Sequence, residues 1–355
     1  MGRKILLVAG GTGGHIWPAI SFGRWIEKNQ EGSSVRFACG RRPLELEIYR
    51  AAGIEPAIIA MDGSPFSGSG LKRLSRAGEI IPAALAARSL LREFRPDVCV
   101  MFGGYISFPF LAACRLCGVD AVMHEQNARA GKVTRLAAKA GIDIFTGWPQ
   151  CDPLTRRQYT CIGVPVREFE KMSDEEAWKR LGLPGEVPSG PKVVVFTGSL
   201  GSTPVMETIC ETASKERFSG WTFILPAVSD VPARRGENVW LLPKMWDAAP
   251  LFRLADMAVV RAGGSTLTET GNMGIPSIVV PWRKAADDHQ YCNALSFIAE
   301  NRAIMWNGED KEEFSNKLHE LSIIAANNNT NSSFRLYNSA WRICEDLWLA
   351  VSSRA

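Results

Sequence analysis

Short, wholly apolar runs alternate with longer helical patterns along this chain, and this alternation constrains the fold more than any other feature. Runs such as ILLVA and VVVF are apolar at every position rather than at every second one. Strands buried on both faces of a parallel sheet have this pattern. The predicted strands are Lys4–Ala9, Val35–Cys39, Val98–Met101, Ala121–His124, Val193–Thr197, Thr222–Pro226, Val239–Leu242, Met257–Val260 and Ser277–Val280. With helical patterns between them, such as Trp17–Asn29, Ile80–Phe94 and Val205–Lys215, they predict a doubly wound α/β fold.

The strand–helix pattern starts a second time near the middle of the chain. A glycine-rich turn follows the first strand at Gly10–Gly14, and another follows the strand at VVVF, at Gly198–Gly201. The 355 residues also suit two domains of ordinary size. We predict an N-terminal domain over 1–163, a C-terminal domain over 164–333, and a last helix in 334–355 across the domain junction. A cleft between two such domains is the expected ligand site.

Composition and charge exclude several classes of protein. The net charge of +4, from 41 basic and 37 acidic residues, predicts no nucleic-acid partner, but it allows anionic small substrates or an anionic membrane surface. The nine scattered cysteines predict buried, reduced thiols, since only Cys114 and Cys117 are closely spaced and no histidine completes a metal site. We expect no signal peptide, because the N-terminal apolar run stops at Gly10 after about six residues. We expect no membrane span either, because no apolar run approaches about 20 residues.

The first glycine turn reads Gly10-Gly11-Thr12-Gly13-Gly14-His15. Glycines let a ligand approach the backbone closely, and the helix that follows presents free N–H groups to negative charge. The dinucleotide-binding pattern is broken, because Ile16 stands where its third glycine belongs. His15 could accept a proton at neutral pH, and a capping or buried histidine is the alternative.

Polar residues follow two further strands of the predicted first sheet. Gly103-Gly104-Tyr105-Ile106-Ser107 comes after VCVMF, and His124-Glu125-Gln126-Asn127 comes after AVM. Both stretches are therefore expected at the carboxyl ends of strands, where open α/β sheets bind ligands. A solvated loop is the alternative for each of them.

The second half holds a comparable set of polar turns. In RAGGSTLTE, the N–H and hydroxyl groups of Gly264 to Thr266 could hold a diphosphate, and Glu269 could accept hydrogen bonds from ribose hydroxyls. The alternative for Glu269 is an acid favoured by the helix dipole. Gly198–Gly201 fits a phosphate-contacting turn, and Asp287-Asp288 fits a helix start better than a metal site.

Together these motifs resemble the MurG family of UDP-N-acetylglucosamine:lipid I N-acetylglucosaminyltransferases. The stretches GGTGGHIWPAI, GGYISFP, HEQNARAG, GVPVR, GSLG, RAGGSTLTE and HQYCNA occur in the family's order, and the resemblance covers about residues 4–305. It implies a GT-B fold, in which two Rossmann-like domains face each other across a cleft. The N-terminal half would hold the lipid acceptor and the C-terminal half the UDP-sugar, with neither metal nor cofactor.

The resemblance also implies roles for individual residues. The catalytic candidates are His15, as the general base, and Glu125, as the reserve. The donor-binding candidates are Thr12, Gly13, Gly14, Asn127, Arg167, Ser199, Met245, Gly264, Ser265, Thr266, Leu267, Thr268, Glu269 and Gln290, and the acceptor-binding candidates are Gly104, Tyr105 and His124. The chain differs from the family in having Leu200 and His289 where glutamines are usual.

The implied reaction inverts the anomeric carbon. The muramoyl 4-hydroxyl attacks it to form a β-1,4 linkage and lipid II, and UDP leaves toward Gly263–Thr266 and Arg167. The enzyme would bind peripherally to an anionic membrane at its cytoplasmic face. The basic and apolar residues of Leu71–Arg76, with Ile80, Ile81 and Leu85, suit such a surface, although an amphipathic helix facing the core has the same pattern.

Four other functions fit parts of the sequence less well. They are a UDP-N-acetylglucosamine 2-epimerase, a GT-B transferase with another lipid acceptor such as diacylglycerol, a nicotinamide-dependent oxidoreductase and a catalytically silent sugar-binding protein. The HEQN and GGY stretches disfavour the epimerase, and the broken dinucleotide pattern disfavours the oxidoreductase.

Overall fold

A computed structural model describes residues 2–64, 78–196, 203–226, 229–283, 285–326 and 337–353. The chain divides into two compact units. The first comprises Met1–Arg167 together with Ala340–Ala355, and the second comprises Glu168–Ser339. The apolar run of the N-terminal strand forms part of the core, since Ile5, Leu6, Leu7 and Val8 are each fully buried.

The first unit is built on a seven-stranded parallel sheet with the order β3-β2-β1-β4-β5-β6-β7. Its elements are β1 Lys4–Val8, α1 Gly13–Asn29, β2 Ser34–Cys39, α2 Pro43–Ala51, β3 Ala57–Ile58, α3 Ile80–Phe94, β4 Val98–Met101, α4 Ser107–Cys117, β5 Asp120–Glu125, α5 Lys132–Lys139, β6 Asp143–Thr146 and β7 Tyr159–Cys161. Strand β1 lies between β2 and β4, so the strand order reverses there. Loops at the carboxyl ends of β1 and β4 therefore meet at the switch point of the sheet.

The second unit repeats this plan with the strand order β10-β11-β9-β8-β12-β13-β14, in which β10 pairs antiparallel with β11. Its elements are α6 Asp174–Arg180, β8 Lys192–Phe196, α7 Thr203–Ala213, β9 Thr222–Leu225, β10 Ala233–Arg235, β11 Val239–Leu241, α8 Ala249–Leu254, β12 Met257–Arg261, α9 Gly264–Asn272, β13 Ser277–Val280, α10 His289–Glu300, β14 Ala303–Met305 and α11 Lys311–Ala326. The switch point of this sheet lies between β8 and β12.

The last helix, α12 Tyr337–Ser352, belongs to the first unit from Ala340 onward. The Trp341 ring meets the Trp25 ring edge-on, with centroids 6.0 Å apart. Ala340 also packs with the buried Val164 and Val166. These contacts tie the end of the chain to the fold of the first half.

The predicted α/β class is confirmed, and each of the nine predicted strands matches an observed strand to within one or two residues. The short strands β3, β6, β7, β10 and β14 were not predicted. They are two to four residues long, and β10 has the sequence ARR, so apolar runs could not reveal them. Helix α1 begins at Gly13 rather than at Trp17, because the glycine turn itself forms the first turn of the helix.

Within the described residues, no helix is both long enough and apolar enough to cross a membrane.

Candidate functional site

The first glycine turn lies at the switch point of the first sheet. Gly11 has φ +97°, a conformation that favours glycine, and Thr12 is extended, with φ −141° and ψ 165°, as the residue before α1. His15 lies in the first turn of α1 and is half-buried. Its Nδ1 is 3.3 Å from the Thr12 hydroxyl oxygen. The structure thus brings the predicted Thr12, Gly13, Gly14 and His15 together at one helix start.

The GGY turn after β4 packs directly on this first turn. Gly103 and Gly104 both have positive φ, at +82° and +74°. A Cβ at Gly104 would lie 2.4 Å from the Gly10 carbonyl oxygen, and one at Gly103 would lie 2.9 Å from His15 Cδ2. The two glycines therefore allow backbone-to-backbone contact between the turns, and the His15 ring lies against Gly103.

A buried carboxylate that the sequence analysis missed joins these turns. Glu45, on α2, is fully buried. It accepts hydrogen bonds from the N–H groups of Gly11 and Gly40, both at 2.8 Å, and from the Tyr105 hydroxyl at 2.7 Å. Burial raises the pKa of Glu45 above its usual value, although the hydrogen bonds from Tyr105, Gly11 and Gly40 act to lower it. In the sequence Glu45 is simply an acid in the first turn of a helix, so no local signal identified it.

Tyr105 is held by this carboxylate rather than exposed to solvent. Its side chain is 5% exposed, and the Arg42 guanidinium lies 4.5 Å from the centre of its ring. Burial and the nearby Glu45 raise the pKa of Tyr105. Its proposed contact with the acceptor stays a prediction, as does that of Gly104.

The loop after β5 is organised by Glu125. Its Oε1 accepts from the Asn127 backbone N–H at 3.1 Å and from the Asn127 side-chain amide at 2.9 Å. Its Oε2 accepts from the Gly131 N–H at 2.9 Å and from the Thr134 hydroxyl at 2.6 Å. With four hydrogen bonds and 4% exposure, this carboxylate holds the shape of the loop and presents Asn127, which is half-buried.

His124 is a fully buried neutral imidazole. The Gln126 side-chain NH₂ donates to the His124 carbonyl at 2.8 Å and lies 2.9 Å from Nδ1, so Nδ1 is the acceptor. Nε2 then carries the proton and donates to the Gly163 carbonyl at 2.8 Å. Burial lowers the pKa of His124 to about 4, which agrees with the neutral form. This geometry ties the HEQN stretch to the segment that contains Arg167.

Arg167 is the last residue of that segment and lies against α1. Its guanidinium carbon is 4.7 Å from the centre of the Trp17 ring, which is cation–π geometry. Val164 and Val166, just before it, are buried. The arginine is therefore placed near the helix that carries His15, within the first unit.

In the second unit, helix α9 begins directly after β12 with an open first turn. Gly263 precedes the helix with φ −76° and ψ 135°, and no side chain caps it. The first turn contains no acidic residue. A Cβ at Gly263 would meet no described atom within 4 Å. Among the described residues, space is therefore open beside Gly263, next to the N–H groups with which the helix starts.

The side chains of this turn have different environments. Ser265 and Glu269 are 7% and 3% exposed, and Thr266 is half-buried. The Thr268 hydroxyl donates to the Gly264 carbonyl at 2.9 Å, within the same helix. Leu267 is fully buried, and its N–H donates to the Gly263 carbonyl at 3.0 Å. The predicted donor contacts of Leu267 and Thr268 stay predictions. The Leu267 N–H and the Thr268 hydroxyl both make hydrogen bonds at the start of the helix.

Helix α10 supports the turn from the side. The buried Asn293 side-chain amide donates to the Ala262 carbonyl at 2.9 Å, which fixes the backbone just before Gly263. Gln290 accepts the Trp282 N–H at 2.9 Å. Asp287 and Asp288 have positive φ, and α10 begins directly after them at His289.

The remaining predicted positions are less informative. Met245 is half-buried in the segment between β11 and α8. Ser199 and the rest of the Gly198–Gly201 turn lie outside the described residues, as do Leu71–Arg76. No cluster of three or more metal-ligating side chains suited to a metal ion occurs in the described part of the chain.

Comparison with known proteins gives consistent results for both units. The glycosyltransferase family 28 N-terminal domain matches residues 5–145, and the family's C-terminal domain matches residues 192–336. A relative from Tolumonas auensis is 32% identical over 90% of this chain and 89% of its own length. It is named UDP-N-acetylglucosamine--N-acetylmuramyl-(pentapeptide) pyrophosphoryl-undecaprenol N-acetylglucosamine transferase.

Two solved structures share the fold. Acinetobacter baumannii MurG aligns with a TM-score of 0.67 at 20% identity, covering 99% of both chains. A UDP-GlcNAc 2-epimerase from Neisseria meningitidis, bound to UDP-GlcNAc, aligns with a TM-score of 0.60 at 14% identity, covering 98% of this chain and 100% of its own. These likenesses confirm the predicted GT-B fold class.

Proposed function

Since this chain belongs to glycosyltransferase family 28, we propose that it transfers N-acetylglucosamine from UDP-N-acetylglucosamine to the muramoyl 4-hydroxyl of lipid I, forming lipid II in peptidoglycan synthesis. The observation that carries this proposal is the 32% identity, over nine tenths of the chain, to a transferase named for that donor and acceptor. The geometry of each unit supports one half of the reaction.

The start of helix α9 suits the diphosphate of the donor. Its first turn has no acid, and no described residue fills the space beside Gly263, so its N–H groups and the helix dipole favour a bound anion. The same groups would stabilise the charge that grows on UDP as the glycosidic C1–O bond breaks. Preorganised donors of this kind are worth roughly 3 kcal/mol each in a transition state.

The other donor contacts follow from side-chain chemistry. We propose that Glu269 accepts hydrogen bonds from ribose hydroxyls and that the backbone at Met245 meets the uracil edge. Gln290 uses its carbonyl oxygen on Trp282, so the group that it would offer to the sugar is its NH₂.

His15 is the proposed general base. As the acceptor oxygen bonds to C1, its proton passes to His15 Nε2, and the electrons of the breaking C1–O bond leave with UDP. This role requires the tautomer in which Nδ1–H donates to the Thr12 hydroxyl, 3.3 Å away, because Nε2 then has the lone pair. Glu125 is less suited, since four hydrogen bonds already occupy its two oxygens.

The acceptor is a membrane lipid, so we propose peripheral binding at the cytoplasmic face of the bacterial membrane. Ile81 and Leu85, one turn apart on α3, are 72% and 59% exposed, and Leu116 on α4 is 73% exposed. Large apolar side chains exposed in this way suit the interface of a bilayer.

Co-sedimentation with phosphatidylglycerol-containing vesicles tests this surface. Ile81→Glu with Leu85→Glu should reduce the bound fraction at least severalfold, because charge replaces apolar surface. Ile323→Glu, at a 52% exposed position of α11, is the matched control and should bind like wild type. Equal binding by the double variant would reject the α3 surface.

Transfer of radiolabelled sugar from UDP-N-acetylglucosamine to a lipid I analogue tests the function itself. UDP-N-acetylgalactosamine as a competitor examines donor choice, and diacylglycerol as the acceptor examines the related transferase function. A UDP-N-acetylglucosamine 2-epimerase with this fold is the second candidate. Sugar transfer and UDP release that depend on lipid I support the proposal, whereas epimerisation without an acceptor would overturn it.

A further inference from the structure

Glu45 lies where three strand ends of the first sheet meet. It is on α2, and its carboxylate bonds to groups that follow β2, β1 and β4, which are neighbours in the sheet. We propose that Glu45 is a positioning residue for sugar transfer, which holds the first glycine turn and the GGY turn in the arrangement that orients His15. This inference rests on the proposed function.

The three hydrogen bonds to Glu45 require that both oxygens of its side chain act as acceptors. Glu45 Oε1 accepts from the Gly11 N–H and the Tyr105 hydroxyl, and Oε2 accepts from the Gly40 N–H. An ionised carboxylate supplies only acceptors, whereas an amide of the same shape turns two hydrogens toward one of these donors. A buried donor that loses its partner costs about 1–3 kcal/mol, so the turn would move to avoid that loss.

The two residues that contact the His15 ring, Thr12 and Gly103, lie within two residues of groups that bond to Glu45. The Thr12 hydroxyl, which pairs with His15 Nδ1, follows Gly11 directly in the chain. Gly103, against which the ring packs, lies two residues before Tyr105. Gly104, between them, contacts the Gly10 carbonyl so closely that a Cβ would be 2.4 Å from its oxygen. A shift of Gly11 or Tyr105 would therefore be transmitted to the ring.

The carboxylate also changes the charge of the turn. It uses the Gly11 N–H and lies next to the start of α1, where a free anion would otherwise be favoured. A second anion at that place would be repelled. Glu45 therefore makes the first turn a support for the base, whereas the turn proposed for the diphosphate has no acid in its first turn.

Glu45→Gln tests the proposal, with kcat, both KM values, UDP affinity by calorimetry and Tm measured on the full chain. We expect kcat to fall on the order of 10²-fold, because small misplacements of catalytic groups cost about that much. UDP affinity should stay within about twofold of wild type, because the turn proposed for the diphosphate lies in the second unit, away from Glu45 in the chain. Tyr105→Phe removes one of the three bonds and should lower kcat by a smaller factor.

Two control variants separate positioning from loss of charge and of stability. Glu93→Gln removes an exposed carboxylate of the same unit, paired with Arg36, and should keep wild-type kcat. Leu90→Ala removes a buried side chain of α3 and should lower Tm while keeping kcat at temperatures well below Tm.

Wild-type kcat in Glu45→Gln, or a loss no larger than that of Leu90→Ala, would overturn the inference. If Glu45→Gln does not fold, Tyr105→Phe decides, because it leaves the bonds to Gly11 and Gly40 in place. In that case an unchanged kcat in Tyr105→Phe overturns the inference, and a reduced kcat with unchanged UDP affinity supports it. A wild-type protein without transferase activity would overturn the proposed function itself, and the inference with it.

Discussion

The turn at Gly10–Gly14 and the turn at Gly263–Thr266 look alike in the sequence but differ in their surroundings. Both follow a buried strand at the switch point of its sheet, and both lead into a helix. The first has a buried carboxylate, Glu45, on its Gly11 N–H, whereas the second has no acid in its first turn and, among the described residues, open space beside Gly263. We therefore propose that the same glycine pattern serves catalytic geometry in one unit and anion binding in the other.

Replacing His15 should have the largest effect and act on the first turn alone. His15→Ala should lower kcat by about 10²–10⁴-fold, the usual contribution of a general base. UDP affinity should remain close to that of wild type, because the second turn is untouched. Steady-state kinetics and calorimetry measure the two effects, with His319→Ala, an exposed histidine of α11, as the control. Equal losses in kcat and UDP affinity would contradict the division of roles.

Mild acid should destabilise the first unit in particular. His124 is fully buried with its pKa lowered to about 4, whereas an unfolded histidine has a pKa of about 6.5. The unfolded state therefore gains a proton first, and stability is full above pH 6.5 and lost as the pH falls toward 4. The loss is roughly 3 kcal/mol over this window.

Denaturant unfolding between pH 7 and pH 4 measures this loss. His124→Gln should show a weaker dependence on pH, and His319→Gln should behave like wild type. Hydrogen exchange should locate the change in the first unit, where the imidazole bonds to Gly163. A pH dependence unchanged in His124→Gln would contradict the assignment.

A methyl group at Gly104 should damage the fold of the first turn. Its φ of +74° is unfavourable for alanine, and the new Cβ would lie 2.4 Å from the Gly10 carbonyl oxygen. We expect Gly104→Ala to lower the free energy of unfolding by about 1–3 kcal/mol or more. Gly118→Ala, which has φ +65° but open space among the described residues, measures the cost of φ alone. If both variants lose the same stability, the close packing of the turns is not important.

A methyl group at Gly263 should have the opposite pattern. Its φ is ordinary and its Cβ would meet no described atom, so Gly263→Ala should keep the Tm of wild type. The methyl would occupy the space proposed for the diphosphate, and UDP affinity should fall about tenfold, or about 1.4 kcal/mol. Gly220→Ala, also in open space in the described structure and in the same unit, is the matched control and should bind UDP normally.

Local sequence patterns predicted the elements that form the frame of the molecule. After a first lysine, strands such as β1 and β8 are apolar at every position, and this pattern is enough to recognise buried parallel strands. The glycine turns could also be predicted from local sequence, because glycine readily adopts the positive φ that Gly11, Gly103 and Gly104 have. The short strands were missed because they are recognisable as strands by their pairing rather than by their sequence; they are β3, β6, β7, β10 and β14.

The hydrogen bonds within the candidate site could not be predicted in this way. Glu45 acts through donors 5, 34 and 60 residues away in the chain, so no spacing rule reveals it. The HEQN stretch predicted a polar site. The sequence did not show that both oxygens of Glu125 accept hydrogen bonds from residues that follow it closely in the chain, Asn127 and Thr134. Residues whose role depends on long-range contacts require the three-dimensional structure.

Hydrogen exchange with and without UDP tests the central claim most directly, because it reports the backbone amides of both turns in one experiment. We expect UDP, which lacks the sugar, to slow exchange in a peptide covering Gly263–Thr266 and to leave a peptide covering Gly10–Gly14 unchanged. Slower exchange at Gly10–Gly14 without an effect at Gly263–Thr266 would contradict it, as would an absence of any UDP binding.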